Sequence, residues 1–127
     1  MSDRPRILMV DDDPNTCQIL AIRLSRVGYE VACVHDASSA LKKLTNEPFD
    51  LILTDLMMEG LSGLDLLRRI RGANNDIPVV ILTGHESLES AITATHLRVS
   101  DYLTKSAFSM EELIEVVERA LKEPPPG

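Results

Sequence analysis

The sequence predicts one α/β domain in which five parallel strands alternate with five helices that cover both faces of the sheet. Short apolar, β-branched runs recur along the chain, and each is followed by a longer stretch in which apolar residues have helical spacing. A length of 127 residues is enough for one sizeable core and too short for two. Because only 3% of the residues are aromatic and none is Trp, we expect an aliphatic core.

The predicted strands are mostly apolar, which is typical of strands buried on both faces of a parallel sheet. They cover residues 6–10, 30–34, 50–54, 77–82 and 101–104. The predicted helices follow them at residues 14–27, 38–45, 64–71, 88–96 and 110–122. Together these elements predict the order (βα)5.

Apolar residues three or four positions apart predict the buried faces of the helices. These sets are Ile19, Leu20, Leu24 and Val27 in the first helix, Leu88, Ala91 and Ile92 in the fourth, and Leu113, Ile114, Val117 and Leu121 in the fifth. Three helix starts carry capping signals, namely Asp13 before Pro14, Ser62-x-x-Asp65 and Ser109-x-x-Glu112.

The chain ends in the segment Glu-Pro-Pro-Pro-Gly, which cannot continue a helix. We predict that residues 1–122 form the domain and that residues 123–127 form a stiff proline-rich linker, which hints at further chain in the parent protein.

The charge and hydropathy patterns argue against several classes of function. The net charge is -7, with no stripe of Lys and Arg among aromatic residues, so we expect no direct nucleic-acid binding. No apolar run approaches the roughly 20 residues of a membrane span, and the first residues are too polar for a secretory signal, so we expect a soluble, cytoplasmic protein. Cys17 and Cys33 have neither a disulfide-framework nor a zinc spacing and are interpreted as small apolar residues.

Polar residues follow four of the predicted strands, at the edge where ligands bind in open α/β sheets. Asp11 and Asp12 follow the first strand, Asp55 the third, Thr83 the fourth and Lys105 the fifth. Carboxylates placed so close together repel one another unless a cation is present, and oxygen ligands beside a phosphate favour Mg²⁺. Asp13, which precedes a proline, is interpreted as a helix cap.

This residue set is suited to phosphoryl transfer. The ammonium group of Lys105 and the hydroxyl of Thr83 can stabilise the charge on a phosphoryl group. We predict Asp55 as the nucleophile because it stands alone after the central strand, whereas Asp11 and Asp12 are paired for metal binding.

Four segments resemble the receiver domains of two-component response regulators: Ile-Leu-Met-Val-Asp-Asp-Asp-Pro, Asp-Leu-Ile-Leu-Thr-Asp, Val-Ile-Leu-Thr-Gly-His and Asp-Tyr-Leu-Thr-Lys, which begin at positions 7, 50, 80 and 101. The resemblance covers roughly residues 6–122, and residues 83–92 look most like receivers of NtrC-like transcription activators. It implies a doubly wound, flavodoxin-like sheet with the strand order 2-1-3-4-5.

Position by position, the resemblance implies a Mg²⁺ site formed by Asp11, Asp12, Asp55 and the backbone carbonyl of Met57. Asp55 would be the phosphoacceptor, and Lys105 the lysine that binds the phosphoryl group.

The resemblance also assigns Thr83 and Tyr102 as a switch pair. A sensor histidine kinase would donate the phosphoryl group, and the surface of the fourth helix, fifth strand and fifth helix would change its binding preferences. A homodimer through that surface and a C-terminal output domain, controlling transcription, are the further partners implied. The domain would catalyse only its own phosphorylation and dephosphorylation, without turning over an external substrate.

The sequence departs from the family pattern in three places. Glu59 stands where a proline is usual, Arg98 and Val99 stand where the family has Gly-Ala, and residues 105–108 read Lys-Ser-Ala-Phe instead of Lys-Pro-Phe. Because a cis bond without proline costs about 3 kcal/mol, we predict a trans peptide after Lys105, an inward-pointing Lys105 amine and an outward bulge of the loop.

Two other functions are less consistent with these residues. A degenerate receiver that uses only protein contacts would not need the complete set of acidic, hydroxyl and ammonium groups. An enzyme is less well supported: a phosphatase with an aspartyl nucleophile would want a second Asp where Met57 stands, and a flavin carrier would not place three aspartates beside its phosphate.

Overall fold

The computed structural model describes residues 4–56, 58, 62–84 and 87–123. Five parallel strands form one sheet in the order β2-β1-β3-β4-β5. The elements are β1 (Arg6–Val10), α1 (Pro14–Arg26), β2 (Glu30–Val34), α2 (Ala37–Asn46), β3 (Leu51–Thr54), α3 (Gly63–Gly72), β4 (Val79–Thr83), α4 (Leu88–His96), β5 (Asp101–Thr104) and α5 (Met110–Lys122). The predicted (βα)5 fold and its strand order are confirmed.

Strand β4 starts two residues later than predicted and ends one residue later. The amide of Ile77 donates to a side chain in the preceding loop, and Pro78 has no amide hydrogen, so neither can donate to the ladder. At the other end, Thr83 pairs with Thr104 of β5 and extends the strand. The other boundaries agree with the prediction to within one residue.

Alternate residues of the central strands point to opposite faces of the sheet and form two separate cores. One core lies beneath α1 and α5 and includes Ile7, Met9, Leu24, Leu53 and Leu113. The other lies beneath α2, α3 and α4 and includes Leu8, Val10, Ile52, Leu66 and Ala94. Because β1, β3 and β4 are covered on both sides, their ends are held rigidly relative to one another.

The predicted apolar face of α1 is partly wrong. Leu20 and Leu24 are buried together with Cys17, but Ile19 is 60% exposed and Val27 is also exposed. The buried face of α1 consists of Cys17, Leu20 and Leu24. Successive residues of a helix are about 100° apart around its axis, so Ile19 points away from the sheet when Leu20 points toward it.

The apolar face predicted for α4 points outward. Leu88 is 78% exposed and Ile92 is 51% exposed, whereas Ala94 is fully buried. The helix therefore packs against the sheet through a small residue and leaves its larger apolar side chains on the surface.

The predicted helix caps are largely confirmed. Asp13 accepts a hydrogen bond from the amide of Asn15 and precedes the first-turn proline of α1. Ser62 and Asp65 form a reciprocal capping box at α3. Ser109 accepts from the amide of Glu112, which is half of the predicted box at α5. Within the described residues, no helix has the length and apolarity needed to cross a membrane.

Candidate functional site

The candidate site lies beyond the carboxyl ends of β1 and β3, where the strand order reverses. The amide of Asp11 donates to the carbonyl of Val34 over 3.1 Å, and the amide of Asp55 donates to the carbonyl of Val10 over 2.9 Å. These ladder-type bonds continue one residue past the strands. They therefore fix the backbones of both aspartates, which are only 1% and 5% exposed.

Three carboxylates meet at this edge. One ligand oxygen from each of Asp11, Asp12 and Asp55 lies within 4.8 Å of the other two. Asp11 and Asp55 are buried, whereas Asp12 is exposed at the mouth of the cluster. The cluster therefore has two buried carboxylates at fixed positions, from Asp11 and Asp55, and a third carboxylate, from Asp12, on the solvent side.

Lys105 supplies positive charge to the cluster. Its Nζ donates to Asp11 Oδ2 over 2.7 Å and to Asp55 Oδ2 over 2.9 Å. Burial is the largest single influence on the pKa of Lys105 and lowers it, but the hydrogen bonds to Asp11 and Asp55 and the charges of these carboxylates together raise the pKa above its ordinary value. One ammonium group therefore contacts two of the three carboxylates of the cluster.

The trans peptide and the inward-pointing amine predicted for the altered loop are confirmed. The peptide after Lys105 is trans, since no cis bond occurs in the described part of the chain, and the amine points inward. The amides of Ala107 and Phe108 both donate to the carbonyl of Thr104, so the loop is a tight turn. Ser106 and Ala107 are exposed, and Phe108 packs against the core beneath α1 and α5.

Each buried carboxylate uses its other oxygen for the local backbone. Asp55 Oδ1 accepts from the amide of Leu56 over 2.6 Å, and Asp11 Oδ1 accepts from the amide of Asp13 over 2.9 Å. These bonds orient the two Oδ2 atoms toward the shared ammonium group. The Lys105 ammonium group therefore lies between the Oδ2 atoms of Asp11 and Asp55.

The predicted switch residues lie on the neighbouring strands. Thr83 is fully buried at the end of β4, next to the strand that carries Asp55. Tyr102 of β5 is half-buried against the core beneath α4, and its Oη lies 3.2 Å from Ser90 Oγ. The two switch residues are therefore on adjacent strands, and Tyr102 connects β5 to α4.

Gly63, the first residue of α3, is a site residue that the sequence interpretation missed. Its amide donates to the carbonyl of Leu56 over 2.9 Å, and a Cβ at this position would overlap the carbonyl oxygen of Asp55. The sequence did contain a signal, because glycine follows the helix cap Ser62 directly although glycine lowers the stability of a helix.

Two further contacts with the site carry no sequence signal. Cys17 Sγ and His35 Nδ1 lie 3.7 Å and 3.0 Å from the carbonyl oxygen of Asp11. They come from α1 and from the loop after β2, so only the tertiary structure places them beside the cluster. Cys17 and Cys33 are free thiols, as expected of core residues.

Met57, predicted as a carbonyl ligand, and Glu59, one of the departures from the family pattern, lie outside the described residues. The same holds for residues 124–127 of the predicted linker. The carbonyl ligand and the linker therefore stay predictions.

A cavity of about 250 Å³ opens beside Lys105. It is lined by Thr16, Ile19, Leu20, Leu82, Lys105 and Phe108. The walls come from α1, the end of β4 and the loop after β5, so an apolar depression lies directly next to the charged cluster.

The fold is that of a doubly wound α/β domain with an acidic cluster at its topological switch point. The family model of the response regulator receiver domain matches residues 7–118, and the chain belongs to this family of phosphoacceptor signalling switches. Transcriptional regulators with NtrC-like receivers are among its relatives, which confirms the resemblance.

The chain is 35% identical over 128 residues to the transcriptional regulatory protein GlrR of Escherichia coli (strain K12), covering 100% of this chain and 29% of that protein. It is 33% identical over 121 residues to the transcriptional regulatory protein YkoG of Bacillus subtilis (strain 168), covering 95% of this chain and 53% of that protein. The chain thus spans about half or less of the length of these relatives.

Among solved structures, a CheY-like response regulator receiver domain protein from Methanospirillum hungatei JF-1 has a TM-score of 0.89 and 28% sequence identity. The match covers 94% of this chain and 95% of that chain. Receiver domains of this family generally bind Mg²⁺ at an acidic pocket and pair with histidine kinases, and this chain has a cluster of carboxylates from Asp11, Asp12 and Asp55.

Proposed function

We propose that Asp55 is the phosphoacceptor of this domain and that Asp11 and Asp12 hold the Mg²⁺ ion required for its phosphorylation. The observation that carries the proposal is the Lys105 amine, which bridges buried oxygens of Asp11 and Asp55. An ammonium group at this position is placed to bind an oxygen of a phosphoryl group attached to Asp55.

The strand order supports Asp55, rather than Asp11, as the nucleophile. β3 lies between β1, which presents the acidic pair, and β4, which ends in Thr83. A phosphoryl group on Asp55 would therefore have Asp11 and Asp12 on one side and a hydroxyl donor on the other. On Asp11 it would be separated from Thr83 by the width of a strand.

The donor set fits Mg²⁺. Three carboxylate oxygens within 4.8 Å, one of them from the exposed Asp12, match the preference of this ion for a few carboxylates and several waters. When bound, Mg²⁺ supplies positive charge that offsets the excess of carboxylates and polarises the phosphoryl group. Met57 is proposed as a further carbonyl ligand from the resemblance alone.

The proposed reaction is transfer from a phosphohistidine of a sensor kinase. A carboxylate oxygen of Asp55 forms the new bond to phosphorus while the bond from phosphorus to the imidazole nitrogen breaks, and the released histidine takes up a proton. Lys105 then holds the transferred group through its charge. Later attack by water on phosphorus releases inorganic phosphate and restores the Asp55 carboxylate.

The cavity beside Lys105 is a suitable place for the donor to dock. It adjoins the charged cluster, and Ile19 on its rim is exposed, as is Ile22 one turn further along α1. We propose that an apolar side chain flanking the donor histidine occupies this cavity, which would bring the phosphoryl group within reach of Asp55.

The output is proposed to act through the surface of α4, β5 and α5. Leu88 and Ile92 expose apolar area there, and Tyr102 of β5 contacts α4. Thr83, drawn toward a phosphoryl group on Asp55, would change this surface and with it self-association or contacts to an output domain that controls transcription. The phosphorylated switch is proposed to work in the cytoplasm.

The test is to incubate the chain with Mg²⁺ and a small phosphodonor and to measure intact mass. Wild type should gain a single phosphoryl group, and omission of Mg²⁺ should prevent the gain. Asp55→Asn should remain unmodified while keeping its fold by circular dichroism. Asp76→Asn, at an exposed surface aspartate, is the matched control and should be labelled like wild type. Equal labelling of Asp55→Asn and wild type would refute the assignment.

A further inference from the structure

Arg71 of α3 holds the carboxyl end of α4. Its guanidinium donates to the carbonyls of Leu97 over 2.9 Å and Arg98 over 3.2 Å, just after the helix. The same group donates to the carbonyls of Asn75 and Ile77 in the loop before β4. Because one planar group joins these two segments, the carboxyl end of α4 is tied to its surroundings at several points.

The first turn of α4 is tied to the sheet in a different way. Ser87 caps the helix by accepting from the amide of Ser90 over 3.1 Å. The hydroxyl of Ser90 lies 2.8 Å from Ser87 Oγ and 3.2 Å from Tyr102 Oη on β5. A contact between neutral hydroxyls therefore links the cap, the first turn and β5, and it is weaker than the multiple bonds of Arg71.

The first turn of α4 is also the part of the helix closest in sequence to the proposed site. Thr83 is buried at the end of β4, and the helix begins five residues later, at Leu88. A phosphoryl group on Asp55 that attracts the Thr83 hydroxyl would displace the chain leading into this turn. With the far end held by Arg71, the displacement strains the contact between Ser90 and Tyr102.

We propose that Ser90 is a positioning residue of the switch: its hydroxyl bonds Tyr102, holds the first turn of α4 in the unphosphorylated arrangement, and must release Tyr102 when Asp55 is phosphorylated. This inference rests on the proposed function. A bond present in only one of two states lowers the affinity for a ligand that favours the other state. Removal of this bond therefore strengthens binding of a phosphoryl analogue at Asp55.

The experiment measures the affinity of the full chain for beryllium fluoride in the presence of Mg²⁺ by isothermal titration calorimetry. Tyr102→Phe should bind about fivefold more tightly than wild type, as expected for the loss of one ordinary neutral hydrogen bond, and Ser90→Ala should also bind more tightly than wild type. Ser90→Ala also removes the contacts of that hydroxyl with Ser87, so the shared bond is tested in the double variant: it should bind no more tightly than Ser90→Ala alone, because the bond to Tyr102 is already lost there.

Thr93→Ala is the matched control for the effect of hydroxyl loss on the helix itself. The Thr93 hydroxyl donates to the carbonyl of Glu89 within α4 over 3.0 Å. Its removal should leave the affinity unchanged. Amide hydrogen exchange in metal-free protein adds a second readout: exchange in residues 88–92 should be faster in Ser90→Ala and Tyr102→Phe, but not in Thr93→Ala.

The outcomes separate the two proposals. A wild type that fails to bind beryllium fluoride with Mg²⁺ overturns the proposed function and this inference with it. A wild type that binds, together with a Ser90→Ala variant whose affinity is unchanged or weaker, overturns the inference alone. Effects of Ser90→Ala and Tyr102→Phe that add in the double variant overturn it as well.

Discussion

The ammonium group of Lys105 lies between two carboxylates that have almost no contact with solvent. Asp11 and Asp55 are held at fixed positions by backbone bonds, so they cannot move apart to relieve their repulsion. The lysine therefore stabilises the fold while it holds the position where we propose the phosphoryl group binds. Its side chain is 26% exposed, so solvent screens part of this interaction.

The first prediction concerns this charge. In metal-free buffer, Lys105→Met should lower the free energy of unfolding by about 2 kcal/mol, because two buried carboxylates lose their counter-charge. Mg²⁺ should restore much of the loss. Urea unfolding with and without Mg²⁺ measures both effects, with Lys42→Met at an exposed lysine as the control. A Lys105→Met variant as stable as the control would show that the bridge contributes nothing to stability.

At the scale of an element, the start of α3 is packed against the proposed phosphoacceptor. Gly63 lies so close to the backbone of Asp55 that a side chain cannot fit without moving the helix. At the other end of the same helix, Gly72 has open space around its Cα. The two glycines therefore provide a matched pair in one helix.

We expect Gly63→Ala to lower the free energy of unfolding by about 1–3 kcal/mol, since the overlap is with backbone that cannot rotate away. Gly72→Ala should be neutral or stabilise the protein by up to about 1 kcal/mol through helix propensity. Thermal and urea unfolding of both variants test this. The interpretation fails if Gly63→Ala is as stable as Gly72→Ala.

The amino end of α2 provides a prediction about pH. Asp36 accepts a hydrogen bond from the amide of Ser39 over 2.7 Å, and this bond, followed by that of the Ser39 hydroxyl, lowers the pKa of Asp36. A carboxyl whose pKa is lower in the folded state stabilises the fold above its ordinary pKa of about 3.9. That stability is lost as the pH falls through the lowered value.

Asp36→Asn keeps the cap, because Asn is as good a capping residue as Asp, but it cannot titrate. Near pH 7 the variant should be about as stable as wild type. Between about pH 5 and pH 3, wild type should lose stability more steeply than the variant. Urea unfolding across this range gives both curves, and parallel curves would contradict the role assigned to the Asp36 carboxylate.

At the scale of the whole molecule, both large exposed apolar residues of α4 lie on the surface that we propose changes on phosphorylation. We expect Leu88→Ser combined with Ile92→Ser to abolish self-association of the protein loaded with beryllium fluoride and Mg²⁺. Ile22→Ser, at an exposed position on α1, is the control and should associate like wild type. Sedimentation velocity measures the association.

Two results would count against this surface. A double variant that still associates would place the interface elsewhere. A wild type that stays monomeric with the analogue bound would remove self-association from the proposed function and leave contacts with an output domain as the alternative.

The sequence by itself determined the (βα)5 fold, nearly all element boundaries and the residues that gather at the sheet edge. It could do so because strand and helix periods are local, and because all parallel strands end on the same side of a sheet.

Only the tertiary structure decided which apolar faces are covered and which pairs of side chains meet. Leu88 belongs to the apolar pattern of α4 but faces solvent. Gly63 lies against the backbone of Asp55, which is on the other side of a loop, and the hydroxyl of Ser90 in α4 contacts that of Tyr102 in β5. The physical reason is that a periodic pattern reports that a segment has an apolar face, but not which neighbour packs against that face. Contacts between residues far apart in sequence depend on how all the elements pack together.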